Sequence, residues 1–546
     1  MKRILLTVMA AAAAAGAAAA QEGDASIAQR IEVTRQYVPE LSEVRKLDFQ
    51  PRMTDTVTLK PDIRYSITPT PWKSVFGTKP IEPVAISTAE YRQQRPVYLM
   101  LGGGYPARSM LDFYAAFAAP RDVRAGAYAN HYGQWARLQN DRGTKEPAWW
   151  TENTAGIYAG RDFGRRSLDF DIRYGYNYYT TIGKVMSGDC VPGDLYYHKV
   201  QTALTFGDAF TDLSRFNYRF GIAGTLWGRG LVDNPEGSAF ADFGWKAGRR
   251  GAVVVGVSFR GAWNDWDTGE WVAALAPEYR LRTERLSLHA GVKAYYDRFR
   301  FGFEEQGSHV YVLPKAGISY RVADVFVPYA ELDGRVGPGS YLELSRLNPY
   351  VEQTNIAGAR RAELRGGFRG DAGGVFAYDV YAGYLMGELP YFVKCEDTFL
   401  PVLAPVNLFY AGAGIGLRLP MGFGVQAGVR YDSYDNGGNF FSGRGGRVGM
   451  GIPEFTFTGE VSYRYRDRFS VSAGVEVLGE RRFASLQNLD TAVPATVNLK
   501  VDAEYKTGPR FSIFAAGDNL LNRRIYRCLG YPTLGANVVA GVRMLF

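Results

Sequence analysis

"EFTFTGEVSYRYR", Glu454–Arg466, puts Phe455, Phe457, Val461, Tyr463 and Tyr465 on one side of an extended chain. Glu454, Thr456, Thr458, Glu460, Ser462 and Arg464 fall on the other. A strand points successive side chains to opposite faces, so this period of two predicts a β-strand with one apolar and one polar face. The next stretches repeat it. In "FSVSAGVEV" (469–477), Phe469, Val471, Ala473, Val475 and Val477 oppose Ser470, Ser472 and Glu476. In "VNLKVDAEY" (497–505), Val497, Leu499, Val501, Ala503 and Tyr505 oppose Asn498, Lys500, Asp502 and Glu504.

Working outward, about 22 such strands of roughly 8 to 15 residues follow residue 95, close to the length that crosses a bilayer when tilted. Their connections alternate. Short ones include 161–165, 211–215, 247–251, 282–285, 370–374, 466–468 and 507–508. Long ones include 133–148, 180–194, 229–236, 337–356, 388–403, 434–450, 480–493 and 519–536. A large soluble sheet is the competing reading, but short turns at one end and long loops at the other are the outer-membrane barrel pattern. The predicted fold is all-β: a closed antiparallel transmembrane barrel, since a sheet in lipid must leave no unpaired edge. Val461 is expected to face lipid and Glu460 the lumen. On the last strand, Val538, Ala540, Val542, Met544 and Phe546 are expected to face lipid, with both chain ends periplasmic. A terminal Phe546 resembles the signal read by the outer-membrane assembly machinery.

Composition agrees. The 546 residues hold 64 Gly, 36 Tyr and 32 Phe, a strand-and-turn mixture. Lys2 and Arg3, an apolar run from Ile4 to Ala20 and Ala18-Ala19-Ala20 read as a signal peptide over 1–20, with the mature chain starting at Gln21. Without Lys2 and Arg3 the formal charge falls from +8 to +6 and is spread along the chain, so no nucleic-acid partner is expected. Outer-membrane lipids are the expected surroundings of residues 95–546. Cys190, Cys395 and Cys528 are an odd set, leaving at least one unpaired within a monomer.

"VPYAELDGRVGPGSYLELSRLNPYVEQTNIAGARRAELRGGF" (327–368) resembles a strand, Asn-Pro loop and return strand of TonB-dependent receptors. "DNLLN" (518–522) and "GYPTLG" (530–535) are similar to that family's last hairpin. The resemblance implies a 22-strand receptor barrel. Cys395 and Cys528 both follow these receptor-like motifs, and they are the first candidates for a disulfide. The departure lies at the N-terminus. A receptor of that family carries a folded plug before its barrel, whereas residues 21–94 hold seven prolines, from Pro39 to Pro83, and read as an extended strap. Within it, Arg64, Tyr65, Trp72, Lys73 and Phe76 are candidate contacts to the inner wall. "IEVTR" (31–35) and "DTVTL" (55–59) faintly resemble the segment that binds TonB, which leaves TonB an open question.

Chemistry along the chain is sparse. His131, His198, His289 and His309 lack metal-ligand spacing to one another or to Cys. No Gly-x-Ser-x-Gly elbow is present, though a Ser–His pairing assembled from distant positions stays open. His289, on the face of Ser287, Lys293 and Tyr295, reads as a lumen residue. "LGGGYPARS" (101–109) and "SGRGGRVGMG" (442–451) read as turns rather than phosphate loops. "WNDWDTGEW" (263–271) reads as an interfacial aromatic girdle ahead of a ligand-touching loop. No catalytic, cofactor or metal residue is assigned. Three functions remain: a receptor-like uptake barrel, a passive pore, and a scaffold that binds other envelope proteins. The missing plug and the strap favour the scaffold, with the lumen occluded by the strap. An enzyme comes last.

Overall fold

The computed structural model describes residues 97–546 except 140–142, 182–193, 211, 213, 229–233, 265–268, 302–303, 338, 397, 437–447 and 467. The expected signal peptide, the expected strap with Arg64, Tyr65, Trp72, Lys73 and Phe76, and Cys190 lie outside the described residues.

Alternation becomes a wall because each strand finds partners on both sides. From Val97–Tyr105 onward, consecutive strands pair antiparallel. The ring closes where Val97–Tyr105 meets Asn537–Leu545, in register from Tyr98 opposite Leu545 to Tyr105 opposite Val538. The closed ring has 22 strands. Two short strands, Arg481–Ser485 and Thr491–Val493, pair outside it, as do Tyr526–Cys528 and Tyr531–Pro532. Lipid supplies no hydrogen bonds, so closure satisfies the backbone groups that an open sheet would leave bare.

The two wall faces have the expected chemistry. Phe455, Val461, Tyr465, Phe469 and Tyr505 stand exposed on the outside, with Ile157, Ile222, Val257, Leu275 and Leu364. On the inner face, Lys293 reaches Asp333 at 2.5 Å, Arg430 reaches Asp432 at 2.8 Å, and Arg365 reaches Asp379 at 3.4 Å. Arg543 pairs with Glu504 on the same face of the last strands. An apolar outside around a charged inside is the arrangement of a barrel that spans a membrane. Val538 and Phe546 are exposed on the outer side of the last strand, while Val539 is buried on the inner side.

All seven short turns gather at one end, where Val97 and Phe546 also meet. Two expected loops are instead strand. Residues 388–403 belong to the hairpin Phe376–Cys395 and Thr398–Arg418, paired up to Cys395 opposite Thr398. Pro390, Pro401 and Pro405 suggest a loop in the sequence, yet Tyr391, Val393, Phe399 and Ala404 are buried, and that packing holds the strands together. The 133–148 connection likewise shrinks to the gap between Val123–Gln139 and Lys145–Phe163.

Candidate functional site: the capped mouth

The 337–359 connection does not stand out from the long-loop end but folds across it. Within it lies α1, Tyr341–Leu347. Ser340 starts this helix, its hydroxyl accepting from the Glu343 amide at 3.4 Å. The Tyr341 amide donates to Asn355 Oδ1 at 2.7 Å, and the Ile356 amide to the Gly339 carbonyl at 2.9 Å. These bonds tie the two arms of the loop into one unit.

Its buried face, Tyr341, Leu342, Leu344 and Val351, packs on Tyr179, Leu195, Tyr197 and Trp227. Those wall residues sit at the long-loop ends of Arg166–Tyr179, Leu195–Asp208 and Asn217–Gly228, the fifth to seventh strands. The loop springs from the thirteenth and fourteenth, Val327–Val336 and Arg360–Ala372. It therefore crosses the mouth of the barrel. Tyr197 and Trp227 stack at 4.7 Å, and the Tyr197 hydroxyl donates to the Pro349 carbonyl at 3.2 Å. On other sides the Gly358 amide donates to Glu270 at 2.6 Å, and the Glu352 amide to the Phe399 carbonyl at 2.9 Å.

The last loop, 519–536, completes the cap. Asn519 and Asn522 adopt φ of +49° and +50°, a region that asparagine tolerates better than most residues. Asn519 Nδ2 donates to the Leu534 carbonyl at 2.7 Å, and Asn522 Oδ1 accepts from the Ala536 amide at 3.0 Å. Those bonds are what the "DNLLN" and "GYPTLG" segments do. Tyr531 stacks on Tyr350 at 3.8 Å, joining this loop to the crossing one.

Cys395 sits at the tip of the tall hairpin and Cys528 in the last loop, and among the described residues the expected bond between them is not formed. Cys528 is buried with Ala148, Phe399 and Tyr531. Burial pushes its thiol up to about 11, against the opposing pull of Arg527, Arg481 and Lys394. Burial also raises the Tyr350 phenol. Trp263 stands exposed on the outer wall, and Phe259, Trp271 and Tyr296 form a ring cluster. His289 packs against Gly317.

The sequence reading missed the crossing loop. One signal was present: Ser340 followed three residues later by Glu343 is a helix-start pattern, with Tyr341, Leu342 and Leu344 as its apolar face.

Solved structures share this architecture. The FrpB iron transporter of Neisseria meningitidis aligns with TM-score 0.64 at 11% identity, over 82% of this chain and 81% of that one. The pyoverdine outer membrane receptor FpvA of Pseudomonas aeruginosa aligns with TM-score 0.61 at 12% identity, over 82% and 78%. The barrel resembles that of the TonB-dependent receptors. The copper transporter OprC gives TM-score 0.59 at 14% identity, over 82% and 80%. No family model and no curated protein matches the sequence. A large closed barrel with an apolar outer face of this kind belongs in an outer membrane.

Proposed function

We propose that the protein is a closed receptor-type barrel serving as a partner or scaffold subunit of an envelope complex. The short-turn end faces the periplasm in this reading. The cap seals the outer mouth, and residues 40–94 occupy the lumen or its periplasmic opening. The carrying observation is the loop 337–359, docked across the mouth by Tyr341, Leu342 and Leu344. A passive pore has no use for such a seal. A second reading, gated uptake of a solute, draws on the neighbours described as iron and copper transporters.

Planar-bilayer recording tests the seal. The intact protein should show no large stable conductance, whereas a variant lacking both 40–90 and 341–356 should conduct strongly. Equal conductance in both would leave the passive pore standing. Purification from detergent-solubilised outer membrane separates the other readings. A stoichiometric envelope protein retained with the barrel supports the scaffold. A barrel that purifies alone and binds a solute saturably supports uptake.

A further inference from the structure

The outer wall carries a polar constellation beside the seam of the ring. Ser109, His131 and Asn153 stand on the successive strands Arg108–Ala116, Val123–Gln139 and Lys145–Phe163. Leu111 is opposite His131, and His131 is opposite Asn153, so Ser109 is one pleat away on the same face. That face is the lipid one, shared with exposed Trp135, Trp149 and Ile157. Ionisable residues turned toward lipid are costly, and such a position calls for a function.

The geometry is ordered. Ser109 Oγ lies 2.6 Å from His131 Nε2, and Asn153 Oδ1 lies 2.6 Å from His131 Nδ1. Asn153 Nδ2 donates to the Tyr176 carbonyl at 2.9 Å and to Thr151 Oγ1 at 3.0 Å. A carbonyl only accepts, so the amide nitrogen points there and Oδ1 faces the imidazole. Oδ1 also only accepts, so Nδ1 carries the ring proton. Nε2 is left with its lone pair toward the Ser109 hydroxyl. Nucleophile, base and orienting group thus stand in sequence, the arrangement by which a hydrolytic triad is recognised.

The surroundings fit a lipid substrate. Trp135 folds over Gly133, the residue opposite Ser109, and stacks on His131 with centroids 6.0 Å apart. Tryptophan on a barrel's outer face marks the headgroup level, which is where lipid esters lie. Beside Ser109 runs an open groove of about 450 Å³. Its floor follows from the register: Gly103 and Ala540 lie level with Ser109, and Leu101 and Val542 lie level with Leu111. The volume falls in the range of small-molecule sites.

We propose that Ser109 and His131 are the catalytic residues, and Asn153 the positioning residue, of a membrane-facing hydrolase of fatty-acyl esters. Ser109 Oγ adds to the ester carbonyl carbon while its proton passes to His131 Nε2. The adduct collapses, the carbon–oxygen bond to the alcohol breaks, and the departing alcohol oxygen takes the proton from Nε2. Water then attacks the acyl-Ser109 ester, giving a proton to Nε2. Collapse frees the fatty acid, and the proton returns to Ser109. One ester and one water become one acid and one alcohol. The site lies outside the lumen, so it stands or falls separately from the capped-mouth reading.

The test uses the full-length protein, with barrel folding followed by resistance to SDS before heating. A long-chain alkyl fluorophosphonate should label Ser109, located by peptide mass spectrometry. Fatty-acid release is measured from phosphatidylethanolamine vesicles and from vesicles containing lipopolysaccharide, which separates the two ester sources. S109A and H131A should lose release by about 10³-fold or more. N153A should lose about 100-fold, with an altered pH profile of kcat/KM that N153D restores. A folded wild-type barrel that takes no label at Ser109, or S109A releasing as much acid as wild type, would overturn the proposal.

Discussion

Gly373 and Gly339 sit at opposite ends of neighbouring connections in the same wall. Gly373 reverses the chain at the short-turn end with φ of +65°, and a Cβ placed on it would meet nothing within 4 Å. Gly339 lies in the cap, where a Cβ would come within 2.1 Å of the Ile356 carbonyl oxygen. The first glycine answers only to its own backbone. The second answers to a residue seventeen positions away and, through it, to the far wall. Short turns are local structure, while the cap is tertiary structure made from loop residues.

Substitutions should separate the two regimes. Leu344→Ala removes a fully buried side chain from the cap and should loosen its docking by about 2–5 kcal/mol. Faster amide exchange confined to 337–359 would show it, and unchanged exchange would mean the cap is not held by this cluster. The wall between the two ends gives the next effect. Val461→Arg near mid-membrane should cost about 2–4 kcal/mol in a denaturation titration, whereas Glu460→Gln should be mild. Equal small effects would show that the faces are misassigned.

Titration gives a third contrast. The Cys528 thiol sits at about 11 instead of 9.0 because burial opposes the thiolate. A raised thiol pKa favours the folded cap while the group is protonated. That stabilisation is intact below about 9 and is lost as pH climbs toward 11, by about 2–3 kcal/mol at most. Iodoacetamide should therefore alkylate Cys395 well before Cys528 at pH 8, with Cys528 becoming reactive near pH 11. The smallest effect is expected at the short-turn end. Gly373→Ala should cost about 1 kcal/mol through its positive φ alone, without altering cap exchange.

The same division explains what could be read from the sequence. Phe455, Phe457 and Val461 declare their face by spacing alone, because a strand's period of two is a property of neighbouring residues. The short turns were legible for the same reason. The tall hairpin at 388–403 was not: Pro390 and Pro401 are local loop signals, overridden by the burial of Val393 and Phe399. Nor was the crossing of 337–359, since nothing in Leu342 or Leu344 names the distant Tyr197 and Trp227 as partners. Ser109, His131 and Asn153 are 22 residues apart at each step, and only the register of three strands brings them into contact.

The joint between Val97–Tyr105 and Asn537–Leu545 also sets an order of events in assembly. Arg108 and Asn537, bonded at 2.5 Å beside it, are 429 residues apart along the chain. Every other pair of adjacent ring strands can zip as a hairpin, with its partner already nearby. This joint must instead wait for the chain to bring together its most distant members, and closing so long a span is entropically slow. Until then the structure is a curved sheet with two raw edges, each able to recruit a foreign strand. A substitution that delays this one pairing therefore acts on the fate of all 22 strands.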